Sequence, residues 1–380
     1  MAADGDQDRP GLAVLITNST LDWPSGTVVY VRDLALELVR RGHRPTVYTW
    51  IDGAVGRELR DAGVPVVRDL WSLRERPDVI HGHHRALIRG ALLRFPDVPA
   101  IAFCHDHTSA WDSAPVDDRV RRYFGVSGLC VDRLLADGAP PGRTLLLPNF
   151  VDARRLPIRT GLPDTPRRAL LFSNYATPDT HLPAVAEACR RLGIDLDVVG
   201  RGVGRLEAHP ERILADYDLV FAKAKAAMEA MAVGCAVVLC DFGGVGPMVT
   251  SEEFDRLRPL NFGFAALTLP LTPENVERQI LAYDATDAAL VGDRVRAGCG
   301  IDSAVSGLIE IYRDVICEAI ERPSSLRRAG RLETLRYRTT STVLSRYYRT
   351  FGMDSRRVPG PLRPLYAVCR SLVRRLLWAR

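Results

Sequence analysis

Lysine is nearly absent from this 380-residue chain: of 51 basic residues, only Lys223 and Lys225 are not arginine. Such a bias fits the coding preference of a GC-rich genome, so arginine abundance is no evidence of a nucleic-acid partner, and none is expected. The eight cysteines form no Cys-x-x-Cys pair and sit mostly in apolar runs such as GCAVVLC (234–240). That excludes a zinc ribbon or a disulfide framework and points to reduced, buried thiols. No apolar stretch approaches the ~20 residues that span a bilayer. Residues 1–9 are polar and acidic and lack the apolar centre of a secretory leader. A cytoplasmic location is expected, at most peripheral to the inner membrane face.

Charge is distributed unevenly. From Arg322 onward there are fifteen arginines against Glu333 and Asp354, so this tail carries +13 and the remainder −8 of the net +5. Within the tail, Leu362, Leu365, Tyr366, Cys369, Leu372, Val373, Leu376 and Leu377 recur at helical spacing, with arginines between them and Trp378 near the end. Residues 361–380 are therefore expected to form a basic amphipathic helix, which either touches an anionic membrane surface or docks on the acidic body.

Apolar runs alternate with helical patterns over residues 11–149. GLAVLIT (11–17), PTVYTW (45–50), VPVV (64–67), DVIHGH (78–83), PAIAFC (99–104), YFGVS (123–127) and TLLLPN (144–149) read as strands. After a Pro/Arg-rich stretch (154–168) the pattern restarts with ALLFSN (169–174), LDVVG (196–200), DLVFA (218–222) and AVVLCD (236–241). Two such series predict an α/β protein with two doubly wound domains, 1–152 and 153–321, followed by a basic helical tail, 322–380. Ligands in such folds bind beyond the carboxyl ends of the strands, here in the cleft between the domains.

Several segments, in order, carry a resemblance. SGTVVYVRDLALELVRRGHRPTVYT (25–49) combines a small-residue turn, a helix, Arg-Gly-His and a strand. DVIHGHH (78–84), AIAFCHDH (100–107), VSGLCVDRLL (126–135), LLLPNFVD (145–152), AKAAMEAMAVGCAVVLCDFGGVGP (224–247) and DSAVSGLIEIYRDVI (302–316) follow. The set resembles family-4 glycosyltransferases of GT-B architecture over about residues 11–318. The resemblance implies two Rossmann-like domains, an acceptor side in the first and a nucleotide-sugar donor side in the second. It also implies transfer of the sugar with retention, without metal and with no cofactor beyond the nucleotide sugar, a UDP-sugar by default. The acceptor is left open: a glycan, a lipid-linked sugar or a small molecule.

By position in that resemblance, His105 matches the histidine beside the reacting carbon, and Glu229 the glutamate that holds the nucleotide ribose. Gly26, Gly243 and Gly244 fall in the two cleft turns, while Asp106, His107 and Asp112 follow His105 on the acceptor side. No Cys or carboxylate stands at zinc-ligand spacing near His81, His83 and His84, so no metal is expected there. A core or loop histidine held by a backbone carbonyl is the expected role of His84.

The chain also departs from the family pattern. Phe221 replaces the partner glutamate eight positions before Glu229, and Ala222-Lys223-Ala224-Lys225 replaces a glycine-rich turn. FSNYATPDTHLP (172–183) lacks the Gly-Arg…Lys diphosphate clamp, with Asn174 and Asp179 in its place. Two lysines in three residues, in a chain otherwise without lysine, suggest replacement point charges. Lys223 and Lys225, aided by Arg201, are expected to restore the clamp. Alternatives are a degenerate, non-catalytic subunit that binds glycan or a partner, or a GT-B sugar-nucleotide epimerase or hydrolase.

Overall fold

The computed structural model describes residues 10–207, 209–323 and 330–351. The helix expected at 361–380 lies outside them. Seven parallel strands make the first sheet: β1 (Ala13–Thr17), β2 (Arg44–Tyr48), β3 (Val66–Val67), β4 (Val79–His83), β5 (Ala100–Cys104), β6 (Val120–Gly125) and β7 (Thr144–Leu146). Their spatial order is β3-β2-β1-β4-β5-β6-β7. Helices α1 (Gly26–Arg40), α2 (Ala54–Asp61), α3 (Arg85–Arg94) and α4 (Gly128–Ala136) connect them. Strands β1, β4 and β5 are buried throughout, as continuous apolar runs require when helices cover both faces of a sheet.

The second sheet holds β8 (Arg168–Phe172), β9 (Asp195–Val199), β10 (Leu219–Ala222), β11 (Ala236–Asp241) and β12 (Gly244–Met248), in the order β12-β11-β10-β8-β9. All pairs are parallel except β11 with β12. Its helices are α5 (Leu182–Leu192), α6 (Ala224–Val233), α7 (Phe254–Leu257), α8 (Pro273–Ile280) and α9 (Ala285–Gly298). Each sheet reverses its strand order once, beside β1 and β4 in the first and β8 and β10 in the second. These two switch points face one cleft.

Sequence order assigns residues 301–321 to the second domain, but the structure places them on the first. In α10 (Ile301–Glu321), Ile301, Val305, Leu308, Ile309, Tyr312 and Val315 join the first core. The two chain crossings run side by side: Val151 N–H donates to Cys299 O at 2.9 Å, and Ile301 N–H donates to Val151 O at 3.0 Å. The last described helix, α11 (Arg331–Phe351), also docks on the first domain. Its buried Tyr337 hydroxyl lies 3.2 Å from that of Tyr48, and Ser345 Oγ donates to Trp50 O at 2.9 Å. The beginning of the basic tail is thus part of the first domain's surface. None of the described helices is long and apolar enough to cross a membrane.

Candidate functional site

A cavity of about 580 Å³ opens between the two sheets and is lined from both switch points. From the first domain come Asn18 and Ser19 after β1, Gly26 at the start of α1, His84 after β4, and His105, Asp106, His107 and Asp112 after β5. From the second come Ser173, Asn174 and Tyr175 after β8, Lys223, Lys225 and Glu229 on and before α6, Asp241 at the end of β11 and Phe242 after it.

The first wall is made of neutral imidazoles. His105 Nε2 and His83 Nδ1 are 3.0 Å apart, and His81 Nδ1 lies 2.6 Å from the Tyr312 hydroxyl. Burial, reinforced by neighbouring histidines, lowers His105 to about 3 and His83 well below the usual histidine value. Both rings are therefore uncharged, and one N–H is shared between them. His83 Nε2 is buried without a partner. Placing a proton there would leave a buried N–H unpaired, which is rarer and costlier than an unpaired acceptor. The lower-energy arrangement has His83 Nδ1–H donating to His105 Nε2. His105 then carries its proton on Nδ1, as a hydrogen-bond donor on a ring that lines the cavity.

His84 is tied differently. Its backbone is left-handed, with φ 63°, a costly conformation for a residue other than glycine. Its Nδ1 accepts from Ser19 N–H at 3.0 Å, so the proton sits on Nε2, 3.9 Å from Asp112 Oδ1. The ring is held by the backbone, but not by the expected carbonyl: the amide of Ser19 donates to it instead. Asp112 is buried, and its Oδ2 accepts from Asp106 N–H at 2.9 Å. Burial, then the charge of Asp106, raises its carboxyl well above the usual range. It braces the loop that carries Asp106 and His107, whereas the other two lie more open to solvent.

The second wall is made of paired charges, and the two lysines divide. Lys225 is buried; its Nζ lies 2.9 Å from Asp33 Oδ2 on α1, donates to Phe150 O at 3.2 Å, and stands 3.7 Å from Glu229 Oε1. Asp33 also pairs with Arg32 at 2.8 Å and Arg155 at 3.1 Å. Burial alone would raise Asp33, yet Lys225, Arg32 and Arg155 together hold it below the usual carboxylate value. Glu229 moves the other way: burial raises it, against the pull of Lys225. Lys225 is thus a tie between the domains that also steadies Glu229.

Lys223 is half-buried in the cavity wall, with Nζ 3.1 Å from Asp241 Oδ2 and 4.5 Å from the centre of the Phe264 ring. It caps α6, and Ala224 follows with φ 52°, its N–H donating to Phe262 O at 2.8 Å. An alanine thus holds the left-handed turn for which glycine is the usual choice, at a cost of roughly 1–2 kcal/mol. Phe221 lies on β10, fully buried in the second core, and presents nothing to the cleft.

Three other candidates fall off the cavity wall. Gly243 and Gly244 are not among the lining residues. A Cβ on Gly243 would meet the Phe264 ring at 2.9 Å, and Gly244 (φ 144°) would meet Leu269 O at 2.7 Å, so both serve loop packing. Arg201 does not line the cavity either; its guanidinium sits 4.9 Å over the ring of Trp23, which does. Gly26 does line it, with open space where a side chain would stand. Sequence reading missed Asp241, Tyr175, Phe242 and Phe264. Asp241 ends a strand and Phe242 follows it, a position that could have drawn attention to them.

Among the described residues that line the cavity, five are carboxylic (Asp106, Asp112, Glu207, Glu229, Asp241), two are lysine and none is arginine.

Residues 24–155 match Glycosyltransferase Family 4. No curated protein matches the chain in sequence. Among solved structures, Anabaena HepE in complex with UDP and glucose is similar at TM-score 0.61 and 14% identity, over 80% of this chain and 99% of that one. Sucrose-phosphate synthase from Thermosynechococcus elongatus is similar at TM-score 0.56 and 14% identity, over 81% and 100%. A glycosyltransferase from Rickettsia africae gives TM-score 0.53 at 12% identity, over 83% and 100%.

Proposed function

Taking this chain as a family-4-like GT-B glycosyltransferase, we propose that it moves a sugar from a uridine nucleotide to an acceptor held on the first-domain side of the cleft. The observation that carries this reading is the shared cavity. It sets Glu229 and the amino end of α6 on one wall and His105 on the other. Glu229 accepts the ribose hydroxyls as a charge-assisted pair. The diphosphate lies against Lys223 and the α6 amino end, where backbone N–H groups and the helix dipole favour an anion. Stabilising that leaving group is the main electrostatic task. His105 Nδ1–H donates to an oxygen of the reacting sugar and orients it; as a neutral donor it does not act as a base. No step in this scheme calls for a metal, and a retained anomeric configuration follows from the resemblance.

A second reading has an observation in its favour. Each lysine in the cavity already has a carboxylate partner, at 3.1 Å for Lys223 and 2.9 Å for Lys225. A diphosphate must therefore compete with Asp241 for Lys223. A non-catalytic subunit that binds glycan alone would need no free cation. A mass-spectrometric screen of sugar nucleotides against the full chain separates the two. Transfer from one donor to an acceptor supports the transferase, free sugar as the product favours a hydrolase or epimerase, and no binding of any sugar nucleotide, with retained glycan binding, supports the subunit.

A further inference from the structure

Large aromatic side chains are normally buried, because each Å² of apolar surface left in water costs about 25 cal/mol. Tyr175 and Phe242 break that rule: they are 50% and 48% exposed, and both line the cavity. Their position follows from the backbone. Asp241 ends β11 with its side chain turned inward, paired with Lys223 and accepting from Phe242 N–H, and alternation then sends Phe242 outward.

The exposed rings are not scattered. Tyr175 and Phe242 have centroids 5.3 Å apart, and Phe242 and Phe264 5.2 Å apart, each pair set edge to face. His107 of the first domain approaches Phe264 to 5.8 Å from across the cleft. Charged groups rim the same rings. Lys223 Nζ lies 4.5 Å from the Phe264 centre and 5.4 Å from that of Tyr175. Asp106 and Asp241 line the same cavity, and burial, then their charges, raise the Tyr175 phenol.

An apolar floor with carboxylates, an ammonium and an imidazole at its edge suits one kind of ligand in particular. A pyranose ring has a flat C–H face and a perimeter of hydroxyls that both donate and accept. A purely aromatic ligand would cover the rings but offer nothing to the charged groups at their edge, whereas hydroxyls can join the pairs that Asp106, Asp241 and Lys223 already make. We propose that Tyr175, Phe242 and Phe264 form a platform for a pyranose ring, with Asp106, His107 and Lys223 reading its hydroxyls. The proposal rests on the glycosyltransferase reading only for which ring is seated, that of the donor or that of the acceptor; the chemistry is the same.

The test compares wild type with Phe242→Ala, Tyr175→Ala and the conservative Phe242→Trp, each checked for fold by circular dichroism. Calorimetry measures UDP and UDP-glucose, and saturation-transfer NMR measures methyl glucopyranosides, galactopyranosides and mannopyranosides. If the platform seats the donor ring, Phe242→Ala weakens UDP-glucose about fivefold and leaves UDP unchanged. If it seats the acceptor ring, the same variant abolishes saturation transfer to the C–H protons of at least one methyl glycoside. Phe242→Trp retains binding in either case. An equal loss of UDP and UDP-glucose would assign the rings to the nucleotide and overturn the proposal, as would no change in any arm. Should wild type bind neither UDP nor UDP-glucose, the glycosyltransferase reading fails, and the methyl glycosides still decide the platform.

Discussion

The two walls of the cleft handle polarity in opposite ways. On the first-domain wall, histidines are buried as neutral rings that share protons among themselves, Tyr312 and a backbone amide. On the second, full charges are kept and cancelled pairwise, Lys223 by Asp241 and Lys225 by Asp33. A neutral wall needs no counterion but is vulnerable to acid. A paired wall tolerates acid down to the carboxylate range but fails when one partner is removed. The first suits orienting a sugar, and the second suits exchanging a carboxylate partner for a phosphate.

Acid gives the largest expected effect, and it acts on the first wall. His81 and His105 are lowered to about 3 and His84 to about 4, chiefly by burial, with His83 well below the usual value. Unfolding returns these rings to an ordinary value near 6.5, so below that pH the unfolded chain binds more protons. Stability is then fully present above about pH 6.5 and falls by on the order of 1 kcal/mol per histidine for each pH unit below it. Thermal melting between pH 7.5 and 5 should show a steep acid loss. A melting temperature that stays flat across that range would mean the histidines are charged or exposed, and the contrast between the walls would disappear.

The second wall breaks by mutation. Asp33→Ala leaves Lys225 buried beside Glu229 alone and should cost about 3 kcal/mol, the scale of a broken buried pair. Denaturation of the variant reads that loss, and a change below about 0.5 kcal/mol would make the tie between domains incidental. Asp33 is far from Lys225 in sequence, which is why the pairing could not be read there. Two lysines in a chain without others signalled purpose, but not that Lys225 would be buried as a tie to Asp33 while Lys223 stayed half-buried in the cavity wall.

Other features were legible in varying degree. The strand series and its restart marked the seven strands of the first sheet and four of the five in the second, since continuous apolar runs mark buried parallel strands; the glycine-rich, antiparallel β12 carried no such run. Alternation along DVIHGH put His81 and His83 on one face, and their rings do lie 4.8 Å apart. The destination of α10 was hidden, because an apolar stripe shows which face is buried but not against which core. Phe242 was hidden for a related reason: an aromatic after an apolar strand looks like core until the turn of Asp241 is known.

A smaller effect sharpens the division between the lysines. Lys223→Ala should weaken UDP about tenfold and leave uridine unchanged, the scale of one hydrogen bond to a charged group. Competition binding with the two ligands isolates the phosphates. Equal losses for both would place Lys223 away from the diphosphate.

The proposed function stands or falls on whether this cleft binds a sugar nucleotide through Glu229 in spite of its paired lysines. Calorimetric titration of UDP into the full chain and into Glu229→Ala tests it most directly. Saturable binding by wild type is expected, with a loss of roughly 1.5–3 kcal/mol in the folded variant. Equal affinities for the two proteins, or no binding by wild type at millimolar UDP, would contradict it.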